Sequence, residues 1–207
     1  MSGSGTGDAL SVYNYFACPV YRIEKPEWIA PLNAASDLAL QKEPRPEKFG
    51  ASYHSAKDAL LSDESINPFK KYCLSVATEI LDSQGFDLFG LKASYNDLWV
   101  QEFSELGGGH HTAHIHANNH ISGFYYLKCT ERTSKPVFHD PRPAALMSNL
   151  PSKNRNQIDY STEKVFYNPV PGTLIFFNSY LTHEYSVDEG LDPFRFVHFN
   201  IQMTKHG

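Results

Sequence analysis

The chain has little of what would staple it covalently or tie it to a membrane or a nucleic acid. Its 207 residues include three cysteines, Cys18, Cys73 and Cys129, far apart and in no C-x-x-C pair. That excludes a disulfide framework or a thiolate zinc site and suits a reducing cytoplasm, the expected location. No apolar run approaches the roughly 20 residues of a membrane span, and the N-terminus lacks a charged region followed by an apolar one. A membrane partner is therefore not expected. Basic charge is thin as well. Lys and Arg total 18 against 23 Asp and Glu, a net charge of -5, and they are scattered singly. Without a Lys/Arg block there is no electrostatic footprint for a nucleic-acid partner.

What is present is apolar and aromatic: 41% of residues are hydrophobic and 14% aromatic. That is enough for one domain with a sizeable core. Residues 1–8, which include the SGSGTG stretch Ser2 to Gly7, read as a disordered tail. Residues 9–207 read as a single domain, with helical support over about 27–85 and a β core over about 95–205.

In the N-terminal part, Val12–Phe16 and Val20–Ile23 are aromatic and β-branched and suit a short strand pair broken at Pro19. Ile29 to Leu40 is rich in Ala and Leu and suits a helix. A clearer helix runs from about Pro68 to Gln84, with Asn67 as N-cap, Pro68 in the first turn and Gly85 as the stop. Its apolar positions Phe69, Cys73, Val76 and Ile80 fall on one face, ready to pack on a sheet.

From about residue 95 the pattern changes to short strands with turns between them: 98–103, 111–116, 121–127, 137–139, 165–167, 173–177, 184–187 and 194–203. Strands in that number, with no helix between them, predict a two-sheet antiparallel barrel or sandwich such as a jelly roll. The fold class is thus mainly β with flanking helices. Pro141 to Thr162 is a long aperiodic insertion of the kind that forms a lid or a binding loop.

Four of the ten histidines lie between Gly107 and His116. His114 and His116, at i and i+2, point the same way only on an extended backbone; on a helix they would diverge by roughly 200°. His183 follows 67 residues after His116, just past the apolar run Thr173–Phe177. An extended His-x-His with a distant third imidazole can hold a divalent transition metal and leave coordination positions open, which makes a reaction site. His110 and His111, beside the glycines, read as loop or supporting residues. His120 reads as solvent-facing or turn-capping.

Arg195 is the second feature. Alternation along Phe194 to Met203 puts it with Val197, Phe199, Ile201 and Met203, the apolar face. A guanidinium directed into a core needs an anion. With no Asp or Glu evident nearby, a bound carboxylate is the expected partner.

On these residues the chain resembles the iron(II)/2-oxoglutarate-dependent oxygenases. More narrowly, it resembles their bacterial and phage group with H-x-H followed by S-G-x-Y-Y, here His114-Ile115-His116 and Ser122-Gly123-Phe124-Tyr125-Tyr126. Asp140-Pro141-Arg142, the Pro171–Phe177 segment, His183 and the Arg195–Asn200 segment follow in the group's order, and Tyr15 to Tyr21 is similar to its opening strand. The resemblance implies a double-stranded β-helix, cupin-like in form. It implies Fe(II) held by His114, His116 and His183, with 2-oxoglutarate and O2 as cosubstrates. Arg195 would bind the far carboxylate, with Asn200 in the cofactor set. Tyr125 or Tyr126 would bond that carboxylate or orient a small-molecule or peptide substrate for hydroxylation. His116 stands where the family usually carries Asp or Glu, and Asp140 is the alternative carboxylate. Two other readings stay open: a three-histidine cupin-type iron dioxygenase that uses no oxo acid, and a metal-binding jelly roll without turnover.

Overall fold

In chain order the elements are β1 (Val20–Glu24), α1 (Ile29–Leu40), β2 (Ser52–His54), α2 (Asn67–Ser83), β3 (Leu91–Phe103), β4 (His111–His114) and β5 (Ile121–Lys128). β6 (Pro136–His139), β7 (Lys164–Phe166), β8 (Thr173–Asn178), β9 (His183–Tyr185) and β10 (Phe194–Lys205) complete them. This computed structural model describes Ser11 and residues 16–45, 48–50, 52–142 and 150–205. The expected tail 1–8 and most of Val12–Phe16 lie outside the described residues.

The strands pair antiparallel into a six-stranded sheet, β1-β8-β5-β10-β3-β2, and a four-stranded sheet, β4-β9-β6-β7. Eight strands were expected from residue 98 on, and each has a counterpart within a few residues of its expected ends, though β3 starts earlier. β1 and β2 come from the N-terminal part and add the outer strands of the larger sheet.

The larger sheet is buried on both faces. Its outer face carries Leu98, Val100, Ile121, Tyr125, Leu174, Phe176, Val197, Phe199 and Ile201, packed with Leu32 of α1 and Phe69, Cys73 and Ala77 of α2. Its inner face carries Phe103, Phe124, Tyr126, Ile175, Phe177, Phe194 and Phe196, which meet Phe138 and Tyr185 of the smaller sheet. Each fully buried ring contributes about 1.5–3 kcal/mol, so the two cores together hold the layers against chain entropy. A bulge where β10 passes from Asn200 to Ile201 lets Asp97 face inward while Tyr95 and Ala93, across it, pack outward.

α2 differs from expectation in two details. Asn67 is already helical, and Ile66 is the N-cap with no side-chain bond. A 3-10 turn, Glu64–Ile66, runs straight into the helix, and Asp63 caps that turn by accepting from the Ser65 N–H at 2.9 Å. The buried stripe passes through Ala77, with Val76 half-buried. Gly85 supplies the left-handed stop at φ 87.

Gly123 explains the glycine of the S-G-x-Y-Y stretch. A Cβ there would overlap the Phe199 ring and the Ile175 carbonyl oxygen. Neighbouring backbone cannot yield, so Gly123→Ala is expected to lower unfolding free energy by about 1–3 kcal/mol or more, read from urea midpoints. An unchanged midpoint would show that the sheet relaxes around the methyl group.

Candidate metal centre between the sheets

His114 and His183 are cross-strand partners in the β4–β9 pair, so their side chains leave the smaller sheet on the same side. β4 ends at His114, earlier than the expected strand. His116 lies two residues on, where its backbone N–H donates to the Ser179 carbonyl at 3.0 Å and returns the chain to the larger sheet. Asn118 takes the left-handed conformation in the following turn, which Asn tolerates. One ligand nitrogen from each of His114, His116 and His183 lies within 4.8 Å of the others.

The ring orientations suit an ion. The Nδ1 groups of His183 and His114 face the carbonyls of Leu181 and Thr112 at 2.9 and 2.7 Å, so each donates there and leaves its Nε2 lone pair free. Nε2 of His116 and Nε2 of His183 are 3.2 Å apart. Nitrogens bound to one ion at about 2.1 Å and at right angles stand about 3 Å apart, so the His116–His183 pair already has the spacing of two ligands on one divalent metal, and His114 is within a small side-chain shift of completing the set.

Burial, followed by the charges of His114, Lys57 and His111, lowers the pKa of His116 to about 4. Burial likewise lowers His183 to about 3, against the opposing pull of its Leu181 bond. Both rings are neutral near pH 7, the state a metal requires. His111 is lowered to about 4 by burial and the neighbouring imidazoles. It is held by Gln101, and its ring centroid stands 5.8 Å from that of His114, a supporting position. His110 turns back to the Gly108 carbonyl. His120 accepts from the Met203 N–H and pins the end of β10.

Asn200 faces the cluster. Its Nδ2 donates to Asp97 at 2.8 Å and lies 3.4 Å from Nδ1 of His116. Ser122 donates to its Oδ1 at 2.7 Å. Sequence reasoning placed Asn200 in the cofactor set but missed the roles of its partners Asp97 and Ser122, along with Gln101 and His198. The available signal was the polar parity of β10, where His198 and Asn200 interrupt an apolar strand on the side opposite Arg195.

Three expectations need correction. Arg195 does not face the cluster. It lies on the helix side of β10, where Nε donates to Glu102 and Nη1 to Asp37, at 2.7 and 2.6 Å. Those acids are far off in sequence and are brought in by β3 and α1. Tyr125 also faces the helices, donating to the Lys25 carbonyl at 2.6 Å beside Phe69. Tyr126 does face inward, but its hydroxyl pairs with that of Tyr185. Asp140 is clamped by Arg142 through both carboxylate oxygens and is not part of the histidine group.

Two outcomes follow. Below about pH 6.5 the denatured chain takes up protons on these histidines, and the native state does so only near pH 3–4. Metal-free protein should therefore lose stability steadily as pH falls from about 6.5 to 4, measured as urea midpoints; a flat profile would contradict buried neutral rings. Separately, Arg195→Met should cost about 1–3 kcal/mol, because the half-buried Glu102 loses its partner, and should leave metal affinity within about twofold by calorimetry.

Comparison with known proteins agrees with this geometry. Residues 97–199 match the family model described as "Putative 2OG-Fe(II) oxygenase". No curated protein matches by sequence. Among solved structures, the chain is similar to the non-heme alpha ketoglutarate dependent epimerase SnoN from nogalamycin biosynthesis, at 10% identity over 91% of this chain and 81% of that one, TM-score 0.62. It is similar to EvdO2 from Micromonospora carbonacea var. aurantiaca, at 13% identity, 91% and 88% coverage and TM-score 0.59. A Pseudomonas putida prolyl-4-hydroxylase follows at 13% identity, 88% and 92% coverage and TM-score 0.55. At such identities the likeness is one of fold, the double-stranded β-helix, while the family model speaks to the chemistry. The chain belongs to the 2-oxoglutarate/iron(II)-dependent oxygenase family.

Proposed function

We propose that the protein is an iron(II)- and 2-oxoglutarate-dependent dioxygenase that hydroxylates a small metabolite, an amino acid or a peptide, with His114, His116 and His183 as the metal ligands. The observation that carries this is the convergence of three imidazole nitrogens within 4.8 Å of one another between the two sheets. When bound, the iron supplies the oxygen chemistry and the decarboxylation of 2-oxoglutarate to succinate and CO2.

The chain's own residues do the rest. Leu181 and Thr112 carbonyls orient two of the ligand rings, and the Asp97–Asn200 pair stands behind the third. Phe124, Phe138 and Phe177 pack around His183 and keep water from that side of the cluster. The segment from Pro141 to Thr162 is proposed as a lid or substrate-binding loop. Its described part, with Arg155 and Gln157, borders a cavity of about 600 Å³ together with Lys164.

A second reading keeps support from one observation. The cluster contains no carboxylate, and Arg195 is already paired with Glu102 and Asp37. Both features suit a three-histidine iron dioxygenase that needs no oxo acid.

One assay decides between them. Protein with iron(II), ascorbate and 2-oxoglutarate should form succinate, slowly without a prime substrate, and His183→Ala should abolish both succinate formation and metal binding. Failure of the wild type to bind 2-oxoglutarate in anaerobic calorimetry would reject the leading proposal.

A further inference from the structure

The inner face of the larger sheet is built of cross-strand rows on β3, β10 and β5, and the polar groups in most of them are satisfied within their own surroundings. In the row nearest His116, Asn200 bonds Asp97 and Ser122, and Ser122 meets Ser179 at 2.8 Å. Deeper, Gln101 is held by His111 and Tyr126 by Tyr185. The row between them is Trp99, His198 and Phe124, and there the pattern breaks.

His198 is 1% exposed, and neither of its ring nitrogens has a hydrogen-bond partner. The ring lies against Trp99 at 4.1 Å between centroids, against Phe124 at 4.8 Å, and edge-to-face with His116 at 4.6 Å. The ring therefore abuts a residue of the three-histidine cluster without belonging to the group of converging ligand nitrogens. A phenylalanine would fill the same place between aromatic rings at no polar cost. Leaving both nitrogens of a buried imidazole unpaired is a standing penalty, of the kind that marks functional positions.

Arg195 is the one buried lysine or arginine among the described residues, and it faces away from the cluster with its charge matched by two acids. An oxo acid entering between the sheets therefore meets no buried cation, only the exposed Lys57 whose charge reaches His116. We propose that His198 is the cosubstrate-binding residue of this site, its ring N–H donating a hydrogen bond to a carboxylate oxygen of 2-oxoglutarate held beside His114, His116 and His183. The chemistry matches. Carboxylate oxygens only accept, a neutral imidazole offers one N–H, and a hydrogen bond to a charged acceptor in a water-poor site is among the strong ones. This inference rests on the dioxygenase proposal above.

The test is anaerobic calorimetry of 2-oxoglutarate on Mn(II)-loaded wild type, His198→Phe and His198→Gln, with Mn(II) affinity measured separately. Both variants should bind Mn(II) within about twofold of wild type. The Phe variant should bind 2-oxoglutarate at least about tenfold more weakly, the loss of one hydrogen bond to a charged group. Gln, which keeps an N–H donor, should recover most of that affinity. The Phe variant without ligand should also melt higher than wild type, since its unpaired nitrogens are gone. If the larger ring is not tolerated beside Trp99, His198→Leu carries the same binding expectation. Unchanged 2-oxoglutarate affinity in the apolar variants overturns the inference, and so does loss of Mn(II) binding, which would make His198 a ligand. No binding by the wild type removes the dioxygenase proposal itself; binding by the wild type and equally by the variants removes this inference alone.

Discussion

The pairing of β4 with β9 is the constraint on which the site depends. His114 and His183 are 69 positions apart in sequence and directly opposite in the ladder. Side chains alternate along a strand, so a slip of one residue would turn His183 toward the far side of the smaller sheet and leave His114 facing Glu184 or Thr182. The aromatic packing of Phe124, Phe138 and Phe177 around His183 protects that register, because a slipped strand would bury a carboxylate there instead. The core thus sets the geometry of the histidine cluster through register as well as through stability.

The larger sheet separates two tasks by its two faces. Outward it carries the aliphatic and aromatic packing to α1 and α2, and the buried Arg195 guanidinium joins β10 to the exposed Asp37 on α1 and the half-buried Glu102 on β3. Inward it lines the cluster. A buried guanidinium requires anions wherever it points, and here the fold itself provides them. The arginine therefore belongs to the attachment of the helical layer, and the space between the sheets is left to neutral donors.

That distribution shapes the chemistry. Three neutral imidazoles leave a divalent ion with its full charge, one unit more positive than two imidazoles and a carboxylate would. On the proposed ligand set, the attraction for a dicarboxylate would come largely from the ion, which would lessen the need for a cation at its far end. The nearest carboxylate in the network, Asp97, acts only through Asn200, which stands beside His116. The site's polarity is graded: satisfied amides and hydroxyls lie near His116, aromatic rings lie below, and His198 sits at the boundary.

How much of this was legible varied with the kind of signal. The strands from β3 to β10 could be read because their apolar periodicity is local, and the H-x-H pair because extended backbone forces its two rings to one side. His183 stood out by its place after a buried strand. β2 could not be read, since a three-residue strand carries almost no pattern. Arg195 was misassigned for a definite reason. Residues 194–201 of β10 are buried without a break, so alternation separates two sets of side chains but cannot say which set faces the helices and which the cluster. Both Asp37 and Glu102 were visible, yet neither lies near Arg195 along the chain. Local sequence determined the strands, the ligand types and the opposition of Arg195 to His198 and Asn200. Tertiary structure decided which side of that opposition meets the histidine cluster, because only the packing of α1 and α2 on one face and of the smaller sheet on the other distinguishes two faces that are equally dry.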